Sequence, residues 1–329
     1  MNIVYLGSGQ FGIECLDALA NSVDKLILTI TQLPRPSGRG RTPKSTPVAS
    51  WAKSHSVAFI ETDDVNGPDV IDRVTAYKPD LIVVIAFGQK IGNLLTNLPS
   101  KGAINVHASL LPEYRGAAPI NWAIINGENR TGISIITLAE KMDAGSILAQ
   151  AETDIEDNET AGQLHDRLAA IAAPLLLETI EKIADGSIVY TEQKHSEATL
   201  APKLKKTDGF LDFSNSAESL RRRILGSWPW PGASAIYIPL ASLRADSKKT
   251  SRRQRVTIAM ADPVVETSNL TKHPAGTIDS NLNVICGENA LKITKIKPAG
   301  RRLMDFKDFI NGSQVQPGDM FVKVDEATQ

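Results

Sequence analysis

An uninterrupted apolar run in the first third of the chain constrains the fold most. Residues 81–86 read Leu-Ile-Val-Val-Ile-Ala, with no alternation of apolar and polar side chains. Such a run is typical of a parallel strand covered on both faces, because a strand with one face in water alternates. Helices are predicted to end near residue 20 and to span 47–54 and 68–77, and strands are predicted over 1–6, 26–31 and 58–61. This alternation indicates an α/β domain, a Rossmann-like, doubly wound, mostly parallel sheet.

The second part of the chain has a different texture. Beyond residue 208, short β-rich runs alternate with glycine and proline turns, which predicts a small antiparallel β-barrel. A chain of 329 residues is also long for a single core. We therefore expect a first domain over 1–190, a basic linker over 191–207 and a second domain over 208–329.

Charge is distributed unevenly between these parts. Residues 1–200 carry 16 Lys and Arg against 24 Asp and Glu, whereas residues 201–329 carry 20 against 13. The excess of cations is marked at Arg221, Arg222 and Arg223 and again over 248–255. A basic half joined to an acidic one favours contact with a polyanion such as nucleic acid. Evenly solvated surface loops are the alternative.

Cysteine usage and hydropathy indicate the compartment. Cys15 and Cys286 are far apart and lack the spacing of metal ligands, which argues against a disulfide framework and a metal site. The N-terminus reads as a strand rather than a leader, and no apolar run is long enough for a membrane span. We expect a cytoplasmic protein without a membrane partner.

Residues 105–145 contain the best candidate reaction centre. Asn105 and His107 are two residues apart in an extended segment, so their side chains emerge on one side while Val106 faces the core. A strand predicted over 133–138 then leads into a polar loop with a single acid, Asp143. A carboxamide and an imidazole can both donate hydrogen bonds to a developing oxyanion, and a carboxylate can favour the imidazolium. A lone histidine is more often structural, but the pairing with Asn105 and the nearby Asp143 favour a catalytic role for His107.

The nearest hydroxyl gives no covalent alternative. Ser109 is not placed as an obvious nucleophile, and no cysteine is near. The residues therefore favour direct transfer of a group to an external nucleophile.

Two further patterns have competing interpretations. Gly7-x-Gly9-x-x-Gly12, between a strand and a helix, resembles a dinucleotide fingerprint, but the second strand ends at Gln32 rather than at an acid. A tight turn that lets the helix pack on the strand is the alternative to a nicotinamide-dependent reductase. The segment over 34–44 has four cations and no acid, which favours a phosphate-binding loop over a surface excursion.

The chain resembles the methionyl-tRNA formyltransferases. The most specific match is Asn-Val-His-Ala-Ser-Leu-Leu-Pro-Glu-Tyr-Arg-Gly-Ala-Ala-Pro-Ile over 105–120, together with Met-Asp-Ala-Gly over 142–145. Other enzymes that use 10-formyltetrahydrofolate share this part. Narrower support comes from Arg-Pro-Ser-Gly-Arg-Gly-Arg over 35–41 and from three C-terminal segments, 198–204, 228–233 and 297–302.

The resemblance implies a formyl transfer from 10-formyltetrahydrofolate to the α-amine of methionyl initiator tRNA. It implies catalytic roles for Asn105, His107 and Asp143, with no metal. The residues implied to line the folate site are Ser109, Leu110, Leu111 and Pro112, and those implied to contact tRNA are Arg39, Arg41 and Lys44. The second domain would be an OB-like barrel that binds the tRNA body, in a protein that acts as a monomer.

Some features depart from the family pattern, and rival functions remain open. The first turn is Gly-Ser-Gly, Pro174 should kink or split a helix predicted over 160–183, and residues 241–255 are unusually basic. A folate-dependent formyltransferase acting on an amino-sugar nucleotide or a purine precursor would explain the catalytic stretch but not the basic segments. A pure RNA-binding protein with a degenerate enzyme domain is a third possibility.

Overall fold

The computed structural model describes residues 1–37, 42–244, 253–265 and 273–325. The chain forms two compact units, which are described separately. The first unit comprises Met1–Pro119, Arg130–Asp154 and His165–Pro202, and the second comprises Ile120–Asn129, Ile155–Leu164 and Lys203–Gln329. The domain limits expected from the sequence stay a prediction.

The elements up to residue 202 supply the first unit, except that most of α5 and the first four residues of α6 belong to the second. In chain order they are β1 Asn2–Gly7, α1 Ile13–Ala20, β2 Lys25–Gln32, β3 Arg35–Ser37, β4 Thr42–Lys44, α2 Pro47–Ser54, β5 Phe59–Thr62, α3 Pro68–Ala76, β6 Leu81–Ile85, α4 Asn93–Thr96, β7 Ala103–His107, β8 Arg115–Gly116, α5 Pro119–Asn126, β9 Arg130–Thr137, β10 Ile147–Asp154, α6 Ala161–Asp185 and β11 Leu200–Ala201. Single turns of 3₁₀ helix lie at Gln10–Gly12, His195–Glu197 and Lys206–Gly209.

The main sheet has seven strands in the order β10-β9-β7-β6-β1-β2-β5. The strands β7, β6, β1, β2 and β5 are mutually parallel. Strand β9 pairs antiparallel with β7, and β10 pairs antiparallel with β9. All five residues of β6 are buried, as its unbroken apolar run predicts. The Rossmann-like, mostly parallel fold is therefore confirmed.

The glycine-rich turn after β1 brings the first helix close to the sheet. A Cβ added at Gly12 would lie 1.8 Å from the hydroxyl oxygen of Tyr5, so only glycine allows this approach. At the end of β2, the Gln32 amide donates to the carbonyl of Phe87 at 2.5 Å. These contacts favour the packing interpretation of the glycine pattern over the dinucleotide fingerprint.

Helix α6 runs unbroken for 25 residues through Pro174. Of the two outcomes expected for this proline, a kink or a split, the split is wrong. An interior proline costs roughly 3 kcal/mol. Burial of an apolar stripe on both sides of it, which includes Leu168, Ala172, Leu176 and Ile180, offsets that loss.

The second unit is built around an antiparallel sheet. Its elements after residue 203 are α7 Ala217–Ser227, β12 Ala233–Ile238, α8 Leu240–Arg244, β13 Gln254–Val264, β14 Val284–Ile285, β15 Ala290–Pro298, β16 Met304–Asp305, α9 Phe306–Ser313 and β17 Met320–Val322. The strand order is β14-β15-β13-β12-β17, with β16 also paired to β15.

Two isolated bridges nearly close this sheet into a barrel. Thr277 bridges to Met320 on β17, and Ile278 bridges to Val284 on β14. Buried aromatic side chains fill the interior, among them Phe213, Tyr237 and Phe321. The predicted C-terminal barrel, OB-like in its closure, is confirmed.

Candidate active site

Strand β7 carries two of the three predicted catalytic side chains. It lies between β6, which runs parallel to it, and β9, which runs antiparallel, and its carboxyl end is His107. Val106 is buried, as expected from its alternation with its neighbours, and Asn105 is half-buried. His107 is also buried, with 6% of its surface exposed, so its side chain lies below the surface at the carboxyl end of β7.

Asp143 reaches this strand end from the loop between β9 and β10. Its Oδ2 lies 3.7 Å from Nδ1 of His107, and its Oδ1 lies 3.5 Å from Nδ2 of Asn105. The backbone amide of Gly116 donates to Oδ2 at 2.9 Å, which anchors the carboxylate between two segments. The structure thus brings the three predicted side chains together, while their catalytic roles stay a prediction.

The environment of His107 determines which ring nitrogen is available. Nε2 lies 2.9 Å from the carbonyl oxygen of Tyr114, which can only accept a hydrogen bond, so Nε2 carries a hydrogen. In the neutral ring the lone pair is therefore on Nδ1, the nitrogen that faces Asp143. Protonation at Nδ1 would create an imidazolium beside a carboxylate, an arrangement that suits a general base.

Left-handed backbone shapes both sides of the site. Tyr114 has φ of 58° and Asp143 has φ of 52°. Gly116, at φ of 128°, lies so close to β11 that an added Cβ would be 2.5 Å from the carbonyl oxygen of Ala201. Glycine is therefore required where the chain passes between the carboxylate and β11.

A buried serine supports the segment predicted to line the folate site. The hydroxyl of Ser134, on β9, donates to the carbonyl of Ser109 at 2.7 Å and accepts from the amide of Leu111 at 3.0 Å. Gln150 donates to the same hydroxyl and to the carbonyl of Leu111. Within the segment, Ser109 and Leu111 are buried while Leu110 and Pro112 are half-buried, so the latter two offer the accessible surface.

A pocket that the sequence did not reveal lies against the same loop that carries Asp143. It has a volume of about 330 Å³ and is lined by residues 90–93, 96–97 and 138–140. Residues 138–140 lead directly towards Asp143. None of the predicted catalytic residues lines this pocket.

The basic segment over 34–44 contains more regular structure than the expected loop. Strands β3 and β4 pair antiparallel, with Arg35 opposite Lys44 and Pro36 opposite Pro43. Two prolines are tolerated opposite each other where a ladder position requires no amide hydrogen. Lys44 is exposed on β4, whereas Arg39 and Arg41 lie outside the described residues.

The other predicted cation clusters differ in their surroundings. On α7, Arg221 contacts Asn158, Arg222 contacts Glu218 and Arg223 contacts the carbonyl of Asp208. Each of these three arginines therefore has a hydrogen-bond partner within the chain. In the tract over 248–255, residues 248–252 lie outside the described part, and the guanidinium of Arg255 lies 5.6 Å from the Phe210 ring centre.

Two residues at the site escaped the sequence analysis. Gln193 contacts the Asp143 loop, and Arg115 contacts Gln193. Gln193 follows Asp143 by 50 residues, and nothing in the sequence links the two. Arg115 lies within the specific motif, but its residue type gave no indication of a partner.

Two further features of the described residues bear on the chemistry. Across the described ranges, no cluster of three or more His, Cys, Asp or Glu side chains could hold a metal ion. No helix in the same ranges is both long and apolar enough to cross a membrane.

Comparison with known proteins gives matches over both units. The family described as "Formyl transferase" matches residues 1–180, and "Formyl transferase, C-terminal domain" matches residues 203–314. A methionyl-tRNA formyltransferase from Alkaliphilus oremlandii is 37% identical over 323 residues, which cover 97% of this chain and 99% of the relative. One from Bacillus subtilis is 36% identical over 97% of this chain and 96% of its own length.

A solved structure has the same fold at low identity. HypX from Aquifex aeolicus, in complex with tetrahydrofolic acid, aligns with a TM-score of 0.57 and 18% identity, over 94% of this chain and 46% of HypX. This likeness concerns the fold alone. The family matches and the full-length relatives go further: the chain belongs to the formyl transferases and, among them, to the methionyl-tRNA formyltransferase family.

Proposed function

We propose that the chain transfers the formyl group of 10-formyltetrahydrofolate to the α-amine of methionyl initiator tRNA, with Asn105, His107 and Asp143 as the catalytic residues. As a member of its family the chain is a formyl-transferring enzyme of translation initiation. The observation that carries the proposal is the meeting of these three side chains in a chain that matches methionyl-tRNA formyltransferases over nearly its whole length.

The proposed reaction begins with attack by the neutral methionyl amine on the formyl carbon. A new C–N bond forms, and the formyl oxygen becomes an oxyanion in a tetrahedral intermediate. The carboxamide of Asn105 donates a hydrogen bond to that oxygen, and a donor of this kind contributes about 10²–10³ in turnover. Asn105 is half-buried, whereas His107 is buried.

Proton transfer completes the reaction. Nδ1 of His107 accepts the proton of the attacking amine, and Asp143, 3.7 Å away, stabilises the imidazolium. The same proton then passes to the folate nitrogen as its bond to the formyl carbon breaks. The products are formylmethionyl-tRNA and tetrahydrofolate. Because amide, imidazole and carboxylate supply every step, the proposed chemistry requires no metal.

We place the folate beside this set. HypX from Aquifex aeolicus, which shares the fold, was solved in complex with tetrahydrofolic acid, and this supports a folate donor here. The half-buried Leu110 and Pro112 follow His107 along the chain, and residues 138–140, which line one side of the pocket, precede Asp143.

We assign tRNA binding to the basic segments. Arg39, Arg41 and Lys44 would contact the acceptor end, and the basic second unit would hold the tRNA body. We also propose that the chain acts as a monomer. Two buried free cysteines support a reducing compartment such as the cytoplasm.

The competing acceptors are amino-sugar nucleotides and purine precursors. The full-length match to methionyl-tRNA formyltransferases favours the tRNA. The deciding assay supplies 10-formyltetrahydrofolate with methionyl initiator tRNA, methionyl elongator tRNA or an amino-sugar nucleotide, and measures the formylated product. N-formylmethionine from initiator tRNA alone is expected. Formylation of the sugar amine with none on the tRNA would contradict the proposal.

A further inference from the structure

The side chain of Gln193 joins the Asp143 loop to Arg115. Its Nε2 donates to the carbonyl of Asp143 at 2.8 Å and to the carbonyl of Gly145 at 2.7 Å. Its Oε1 accepts from Nε of Arg115 at 3.1 Å and from Nη2 at 2.6 Å. The amide thus uses both of its hydrogens and its oxygen at one buried position, where Gln193 is 6% exposed.

The partners determine the orientation of this amide. Two backbone carbonyls can only accept hydrogen bonds, and a guanidinium can only donate them. A flipped amide would set oxygen against two oxygens and NH₂ against the guanidinium. Since burial makes such unpaired contacts costly, glutamine at 193 has one acceptable orientation.

The loop needs support from this side. Lys141 and Met142 are exposed, and Met142 exposes 72% of its surface. Asp143 has a left-handed backbone, which costs energy for a residue other than glycine. Beyond Asp143, the backbone amide of Ser146 is bonded to the Thr137 side chain at 3.0 Å. Gln193 grips the carbonyls of the acid itself and of the residue two places later.

The guanidinium of Arg115 holds the oxygen of the Gln193 side-chain amide. Its Nη2 also lies 2.9 Å from Nδ1 of His195, and its backbone amide is bonded to the carbonyl of Thr199. Arg115 precedes Gly116, whose amide donates to the Asp143 carboxylate. The backbone amide that binds the carboxylate and the side chain that holds Gln193 therefore come from neighbouring residues.

We propose that Gln193, held by Arg115, is a positioning residue for formyl transfer that fixes the carboxylate of Asp143 beside His107. The inference rests on the proposed function. Gln193 has no hydrogen bond to His107 or Asn105; it acts through the backbone of the acid's loop. Misplacing a reacting group by about 1 Å can cost on the order of 10²-fold in rate.

The test replaces Gln193 by methionine in the full-length chain, which keeps the length of the side chain and removes its hydrogen bonds. We expect kcat for formylation of methionyl initiator tRNA to fall about 10- to 100-fold. The KM for tRNA should change less than about twofold, because the loop is not assigned to tRNA binding. Glu192→Met, at the exposed neighbouring position, is the matched control and should keep the parental kcat.

A double-mutant comparison separates positioning from general destabilisation. If Gln193 acts through the carboxylate, Gln193→Met should cost less than about twofold more in an Asp143→Asn background. A full additional 10-fold loss there would overturn the inference, as would a parental kcat for the single variant. If Gln193→Met does not unfold cooperatively, Gln193→Glu gives the same test, since it keeps the oxygen that faces Arg115 and loses the donor.

Measurements on the parental protein separate the proposed function from the positioning role of Gln193. A parental chain that forms no formylmethionyl-tRNA would contradict the proposed function itself. A parental chain that is active, with a Gln193 variant that matches it, would contradict the positioning role alone.

Discussion

Ser134→Ala tests how the structure supports the segment beside the site. The change removes one hydroxyl that donates to the carbonyl of Ser109 and accepts from the amides of Leu111 and Gln150. Ser134 is fully buried, so water cannot replace these bonds without entering the sheet. Gln150 retains its bond to the carbonyl of Leu111, which leaves the Ser109 carbonyl and the Leu111 amide as the groups that lose a partner.

Each buried group left without a partner costs about 1–3 kcal/mol. Two such groups predict a loss of about 2–6 kcal/mol in the free energy of unfolding, which is a large part of the 5–15 kcal/mol typical of a domain. The chain should remain folded at low temperature. Displacement of residues 109–112 should also raise the KM for the folate donor.

The assay is urea unfolding followed by circular dichroism, with amide hydrogen exchange of β9 to follow the first unit separately. Thr179→Ala is the matched control, because Thr179 is also buried but its hydroxyl only donates back to the carbonyl of Leu175 in the same helix. That change should cost less than about 1 kcal/mol. Equal losses from the two variants would refute the reasoning, since the network around Ser134 would then add nothing.

Three other predictions concern the hydrogen-bond donor Asn105, the binding of tRNA and the two buried thiols. Asn105→Ala should lower kcat about 10²–10³-fold with little change in tRNA affinity, measured by steady-state formylation and filter binding; a parental kcat would contradict its role. Arg41→Ala should weaken tRNA binding and flatten the dependence of log K on log salt by about 0.7–0.9, and an unchanged slope would remove Arg41 from the interface. Burial raises the pKa of the Cys15 and Cys286 thiols to about 12 each. At pH 8 both should therefore resist a thiol-specific reagent until the chain unfolds, and rapid labelling of the folded protein would contradict this. Because these pKa values are raised in the folded state, the protonated thiols contribute to the free energy of unfolding. That contribution is complete below the thiol's usual pKa of 9.0 and is lost as pH rises towards 12.

Local patterns were sufficient to predict the elements that form the site. The apolar run of β6 and the period of two in β7 depend on neighbouring residues, so the parallel sheet and the shared direction of Asn105 and His107 could be predicted. The approach of Asp143 depends on more than such patterns. Strand β9 runs antiparallel to β7 with Thr137 opposite Ile104, so the loop after β9 begins beside the amino end of β7 and folds back to bring Asp143 to Asn105 and His107.

The rest depends on contacts between distant segments. The bond of His107 to the Tyr114 carbonyl requires a left-handed turn at Tyr114, a conformation for which tyrosine has no preference. Gln193 meets its loop through tertiary packing alone. Pro174 was expected to interrupt α6 because propensity is a local quantity, whereas burial of the helix is not.

The most direct test of the central claim is the single-turnover rate of formylmethionyl-tRNA formation by His107→Ala at saturating tRNA and donor. If the imidazole moves the proton, the rate should fall about 10²–10⁴-fold while tRNA affinity is kept. A His107→Ala chain that formylates methionyl initiator tRNA at the parental rate would contradict the account.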